Sequence, residues 1–199
     1  MYIAHRINTI KELLDLPNNR AIEFDVRDSN GRCIVQHDPF KEGLPLNIFL
    51  DMCGRNRFLI VNIKSEGIEA TVLEMLRDRS IEQFFLLDST VPAMYKYVNA
   101  GEKRFAVRLS EVEPIEFVEQ WKNKVEWVWI DCFSKNILTK TLEEKIHSLG
   151  FKICVVSPEL QGRPEDIEVF SAEFKANNIQ VDAICTKEYN IERWSKVLL

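Results

Sequence analysis

Two of the three histidines in this chain stand beside acids that are spaced for a common task. His5-Arg6 comes first, then Glu23-x-Asp25, His37-Asp38 and Asn62-x-Lys64, and farther on come Asp88, Arg108, Asp131 and Glu159. Most of these residues close a short apolar run. Side chains alternate across a strand, so Glu23 and Asp25 share one face while Ile22, Phe24 and Val26 share the other. Asn62 and Lys64 pair up in the same way, with Val61 and Ile63 opposed. With Lys187, the run ends carry five carboxylates (23, 25, 88, 131 and 159) and four cations (6, 64, 108 and 187), counting His5 as neutral. Buried charges are costly unless they pair with one another or bind a metal ion. The cluster is therefore either a satisfied ion-pair network or a site that holds a cation and an anionic substrate.

The elements that must position these residues follow from periodicity. Eight β-rich apolar runs recur: Tyr2–Arg6, Ala21–Arg27, Phe58–Lys64, Phe84–Ser89, Phe105–Ser110, Trp127–Cys132, Lys152–Ser157 and Ala183–Lys187. A helical pattern follows each, over Thr9–Leu16, Leu46–Cys53, Ile68–Arg77, Pro92–Ala100, Pro114–Lys122, Thr139–Leu149, Glu165–Ala176 and Ile191–Val197. Near-continuous apolar strands are expected where both faces of a parallel sheet are covered. An eightfold strand–helix alternation predicts an α/β fold, a (β/α)8 TIM barrel with short loops, as one domain over residues 1–199. Functional residues of such barrels collect at the C-terminal ends of the strands. Asn30-Gly31 between apolar runs signals a tight turn, so the second strand should fold back into a small extra hairpin that presents His37 and Asp38.

Composition limits the rest. The 199 residues carry 46% apolar side chains and a formal charge of −5, without a basic stripe, which argues against a nucleic-acid partner. No apolar stretch reaches the ~18 residues of an integral membrane segment, and the N-terminus lacks the layout of a signal peptide. Five cysteines without a C-x-x-C pair read as reduced, buried thiols, and a cytoplasmic location is expected. His147, in a last helical turn, reads as structural. Oligomeric state is not encoded in any of these features.

Taken in order, His5-Arg6-x-Asn8-Thr9, Ile22-Glu23-Phe24-Asp25-Val26-Arg27-Asp28, Val35-Gln36-His37-Asp38 and Asn62-Ile63-Lys64 resemble the glycerophosphodiester phosphodiesterases, which belong to the phospholipase C-like barrels. The motifs span residues 5–64, and the strand rhythm with Val181-Asp182-Ala-Ile-Cys-Thr186 extends the resemblance toward the C-terminus. The resemblance implies a phosphoric diester hydrolase acting on a small-molecule phosphodiester, a glycerophosphodiester or a phosphoglycerol-type substituent. It implies His5 and His37 as general base and acid, and Arg6 and Lys64 on the phosphate. Glu23 and Asp25 would ligate a divalent cation, magnesium or calcium. Arg108, Asp88, Asp131 and Glu159 are expected to line the substrate pocket.

Three departures stand out. Ile7 occupies the place of the family's glycine, no glutamate precedes Asn8-Thr9, and Asn62 replaces the first acid of a Glu-x-Lys pair. An amide oxygen can ligate a hard cation but carries no charge, so cation affinity should fall unless Asp88 or Asp131 supplies the missing ligand. The contrasting expectation is a catalytically weakened barrel that binds a phosphorylated or sugar ligand without turnover. A barrel enzyme of unrelated chemistry, such as a lyase, ranks third.

Overall fold

A computed structural model describes residues 1–198. The chain divides into two compact units, residues 4–105 and residues 1–3 together with residue 106 onward.

Within residues 4–105 the strands are β2 (Ala21–Ser29), β3 (Arg32–Val35), β4 (Leu44–Pro45), β5 (Leu59–Ile63) and β6 (Phe84–Leu87), in the sheet order β4-β3-β2-β5-β6. β1 (Tyr2–Ala4) leads into this unit. β2, β5 and β6 run parallel, with Asp25 opposite Asn62 and Asn62 opposite Leu87. The intervening segments carry α1 (Ile10–Leu14), α2 (Leu46–Cys53), α3 (Glu69–Asp78) and α4 (Val91–Asn99). Thr9 caps α1 through a capping box with Glu12, which satisfies the first amides of a helix too short to persist alone. The apolar face of β2 packs as the alternation requires: Phe24 is fully buried and its ring lies 4.8 Å from that of Phe49 on α2. Burying one such side chain contributes about 2–3 kcal/mol. The opposite face of β2 is thereby reserved for Glu23 and Asp25.

The hairpin forms at Asn30-Gly31, both at positive φ (52° and 74°), the two-residue turn that matches strand twist. It extends further than the sequence pattern indicates. After β3 the chain loops through residues 36–43 and adds β4 antiparallel to β3. A two-residue strand containing Pro45 has no periodicity to read. Gly43 closes this loop, because a Cβ there would sit 2.6 Å from the Val35 carbonyl oxygen and 2.9 Å from Gln36 Cβ. Gly43→Ala should therefore lower stability by about 1–3 kcal/mol, measured by urea unfolding, and displace the segment that carries His37.

In the other unit, β7 (Ala106–Ser110), β8 (Trp127–Asp131), β9 (Lys152–Val156) and β10 (Ala183–Thr186) form a parallel array in the order β10-β9-β8-β7. It carries α5 (Ile115–Glu119), α6 (Lys140–Ser148), α7 (Ile167–Ala176) and α8 (Ile191–Leu198). Three of these helices are shorter than their patterns, α6 only by its cap residues Thr139 and Leu149. α5 stops after Glu119, and the segment before α7 winds as a 3-10 turn over Pro164–Asp166. Prolines fix the entry to both segments but not the pitch that follows. Fully buried Trp127 and Trp194 anchor this core, and Trp194 lies 6.0 Å from Phe174. His147 is structural, as its position implies: Nδ1 meets Glu143 at 2.7 Å and Nε2 meets Asp182 at 3.2 Å. All five cysteines are buried thiols. Among the described residues no helix is long and apolar enough to cross a membrane.

Candidate active site

Residues 4–105 alone bring together seven of the polar residues singled out by type and spacing. Glu23 and Asp25 stand two residues apart on β2, each only 1% exposed. Glu23 Oε1 accepts a hydrogen bond from Asn62 Nδ2 at 2.9 Å, and Oε2 accepts one from the Arg6 backbone amide at 2.7 Å. His5 Nε2 lies 3.6 Å from the same Oε2. Asp25 Oδ2 accepts from Asn8 Nδ2 at 2.8 Å and lies 3.8 Å from Arg6 Nε, while Oδ1 lies 3.7 Å from Lys64 Nζ. Lys64 in turn donates to Asp88 Oδ2 at 3.0 Å.

Electrostatics at this cluster are dominated by desolvation. Burial, followed by repulsion from Asp25, pushes the Glu23 carboxyl up to about 7, against the lowering effects of Asn62, the Arg6 amide and Lys64. Two acids this close in a dry setting demand positive charge, which Arg6 and Lys64 supply only in part, from 3.8 and 3.7 Å. Asn62 adds a second sign of the same demand, because its Oδ1 is buried and has no hydrogen-bond partner. Asn62 Nδ2 now faces Glu23, and with the amide turned over its oxygen would join the two carboxylates in an all-oxygen donor set that suits a hard divalent cation. Among the described residues no three His, Cys, Asp or Glu side chains cluster in a metal-holding arrangement. The residues that could hold a cation are thus Glu23, Asp25 and Asn62, with the amide as third donor.

His37 follows β3, and its neighbour Gln36 donates its backbone amide to the Asp25 carbonyl at 3.0 Å. The His37 carbonyl accepts from Arg27 Nη2 at 2.9 Å. Its ring Nδ1 meets Asp38 Oδ1 at 2.8 Å, and Lys41 Nζ meets the other oxygen at 2.6 Å. Hydrogen bonding to His37 and then to Lys41 pulls the Asp38 carboxyl down to about 2. A carboxylate that stays ionised can only accept, so Nδ1 carries the proton and Nε2 is left for proton exchange.

The remaining candidates lie in the other unit, where each is engaged by hydrogen bonds. Arg108 Nη1 pairs with Asp131 Oδ2 at 2.6 Å, and Gln161 Nε2 donates to Asp131 Oδ1 at 2.7 Å. Glu159 accepts from the Ser157 and Thr186 hydroxyls and from the Lys187 amide at 3.1 Å. Trp194 Nε1 donates to Ser157 Oγ at 2.7 Å, which ties this carboxylate network to the core of α8.

Two contributions went unassigned in the sequence. Asn8 clamps Asp25 twice, accepting from its backbone amide at 2.9 Å as well as donating to its carboxylate. Its place in the His5-Arg6-x-Asn8 motif was the available signal. Arg6 and Asp88, both beside the carboxylate pair, adopt left-handed backbone conformations (φ 55° and 60°), for which the residue types give no warning.

No protein-family model matches the sequence, and no curated protein matches it either. Solved structures do. A protein of Agrobacterium tumefaciens described as a glycerophosphoryl diester phosphodiesterase superposes with a TM-score of 0.70 at 13% identity, covering 98% of this chain and 97% of that one. A glycerophosphodiester phosphodiesterase of Thermotoga maritima gives 0.69 at 17% identity, with 96% of each chain covered. Another from Agrobacterium tumefaciens gives 0.64 at 16%, covering 92% and 95%. The likeness spans nearly the whole chain and establishes the (β/α)8 barrel fold expected from the strand–helix alternation.

Proposed function

We propose that this chain is a cation-assisted phosphodiesterase acting on a small phosphodiester that carries a neighbouring hydroxyl, such as a glycerophosphodiester. The observation that carries the reading is the buried Glu23–Asp25 pair, which is joined through Glu23 to the amide of Asn62 and has His5, Arg6 and Lys64 within 4 Å. The sequence resemblance and the fold shared with solved phosphodiesterases support it independently. Bound to Glu23, Asp25 and Asn62, magnesium or calcium would supply Lewis-acid stabilisation of charge on the phosphoryl oxygens.

The chain's own residues do the rest. One histidine takes the proton of the neighbouring hydroxyl as it bonds to phosphorus, and the other gives a proton to the alkoxide whose P–O bond breaks; water then opens the resulting cyclic phosphate with the two roles reversed. Arg6 and Lys64 oppose the negative charge that builds on phosphorus-bound oxygens. Asn8 holds Asp25 in register, and the ionised Asp38 keeps His37 Nε2 available for proton exchange.

The competing reading, a barrel that binds its ligand without turnover, draws on one feature: Lys64 and Arg6 already stand 3.7 and 3.8 Å from Asp25 and partly neutralise it. Turnover of glycerophosphodiesters with Mg²⁺, Ca²⁺ or EDTA separates the two. Hydrolysis that requires a divalent cation is the expected result. Cation binding by calorimetry without hydrolysis would leave the binding barrel, and no cation binding would remove the basis of the phosphodiesterase reading.

A further inference from the structure

Lys64 lies between two acids at unequal distances. Its ammonium hydrogen-bonds Asp88 at 3.0 Å and stands 3.7 Å from Asp25 Oδ1, close enough to attract but too far for a good hydrogen bond. Asp25 is 1% exposed and belongs to the carboxylate pair that would hold a cation. An ammonium drawn fully onto Oδ1 would satisfy that oxygen and compete with any cation for it. The competition matters more here than in a site with three carboxylates, because the third donor is the uncharged Asn62.

The backbone shows how Asp88 comes to be in place. Asn62 pairs with Leu87 in the parallel ladder of β5 and β6, so these two side chains share a face. Lys64, two residues beyond Asn62, returns to that face, whereas Asp88, one residue beyond Leu87, would point away from it on a regular strand. Asp88 instead takes φ 60°, which breaks the alternation and brings its carboxylate to Lys64. A left-handed non-glycine residue costs about 1 kcal/mol or more, and such conformations persist where surrounding contacts hold them.

We propose that Asp88 is a positioning residue that holds the Lys64 ammonium off Asp25, so that Asp25 Oδ1 stays open to a divalent cation. This rests on the proposed cation site at Glu23, Asp25 and Asn62. Asp88 then acts neither as a metal ligand nor as a substrate contact, and its effect passes entirely through Lys64. When a cation arrives, Lys64 already has a second anion to hold it.

A double-mutant cycle read by calorimetry with Mg²⁺ and Ca²⁺, in the absence of substrate, tests this. Asn tolerates a left-handed backbone, so Asp88→Asn preserves the local fold. D88N should weaken cation binding on the order of tenfold, because Lys64 turns onto Asp25. K64M should bind the cation more tightly than the parent, having lost the competitor. The double variant should match K64M. A D88N penalty that persists in the K64M background would overturn the proposal, since Asp88 would then act on the cation directly, by ligation or by its charge. Unchanged affinity in D88N alone would also overturn it. If the parent binds neither cation, the cation site itself falls and this inference with it; a parent that binds and a flat cycle sink only the role given to Asp88.

Discussion

Glu23→Gln should make the cation-free protein more stable at neutral pH while abolishing cation binding. The reason is the raised Glu23 carboxyl, held near 7 by burial and by Asp25 against an ordinary 4.5. Below pH 4.5 the acid is protonated in both the folded and the unfolded chain and contributes no difference. Between 4.5 and 7 the unfolded chain releases the proton while the folded chain keeps it, so stability falls as pH rises. Above 7 both states are ionised and the full penalty stands, about 3 kcal/mol for a shift of this size. Gln has no such limb. It also fits the local bonds: Oε1 can accept from the Arg6 amide, and Nε2 can donate to Asn62 Oδ1, the atom that has no partner now, once the Asn62 amide turns over. In thermal scans with EDTA, the Tm of E23Q should exceed that of the parent on the order of 5–10 °C at pH 8, with the difference vanishing near pH 4.5. Divalent cation should raise the parent's Tm at pH 8 and leave E23Q unmoved. Its activity should drop more than about 100-fold, the loss that even outer-shell partners of a metal approach. A parent whose Tm is flat from pH 4.5 to 8 would contradict the buried-acid argument.

That opposition of stability and function explains what was legible in the sequence. The fold could be read because it rests on repetition: apolar runs of five residues or so, each followed by an amphipathic segment, with Asn30-Gly31 marking the one reversal. Glu23 and Asp25 could be read because strand alternation forces two acids onto one face whose opposite is occupied by Phe24 against Phe49. The bonds between elements were another matter. The sequence places Asn62 on the correct face, but whether its amide oxygen is satisfied depends on which atom Glu23 engages across β2 and β5. Lys64 and Asp88 follow different strands, and their pairing depends on a left-handed turn at Asp88 that no propensity signals. Arg108, Asp131 and Glu159 look the same in sequence as Asp25 does. In space Asp131 is engaged by Arg108 and Gln161, and Glu159 by hydroxyls and a backbone amide, whereas at Glu23 burial and Asp25 outweigh the bonds it accepts and its carboxyl is raised.

His5→Ala and His37→Ala should each lower kcat on glycerophosphodiesters by about 10²–10⁴-fold, the usual value of a positioned acid or base. The double variant should lose little more than either single one, because the two protons move in one coupled step. The two histidines differ in setting, and this assigns their roles. The His5 side chain is 18% exposed and lies 3.6 Å from Glu23, inside the carboxylate cluster where a bound cation would acidify a nearby hydroxyl. His37 is 38% exposed and is held from outside by Asp38, which in turn is held by Lys41. A base belongs where the hydroxyl is activated, and an acid belongs where the alkoxide departs toward water. His5 is therefore the expected base and His37 the expected acid. A glycerophosphate ester of p-nitrophenol tests the assignment, since it keeps the attacking hydroxyl but releases a leaving group that is stable as an anion. On that substrate H37A should regain most of its lost rate and H5A should not. The reverse pattern would exchange the two roles, and loss of activity in neither variant would remove the histidines from the chemistry.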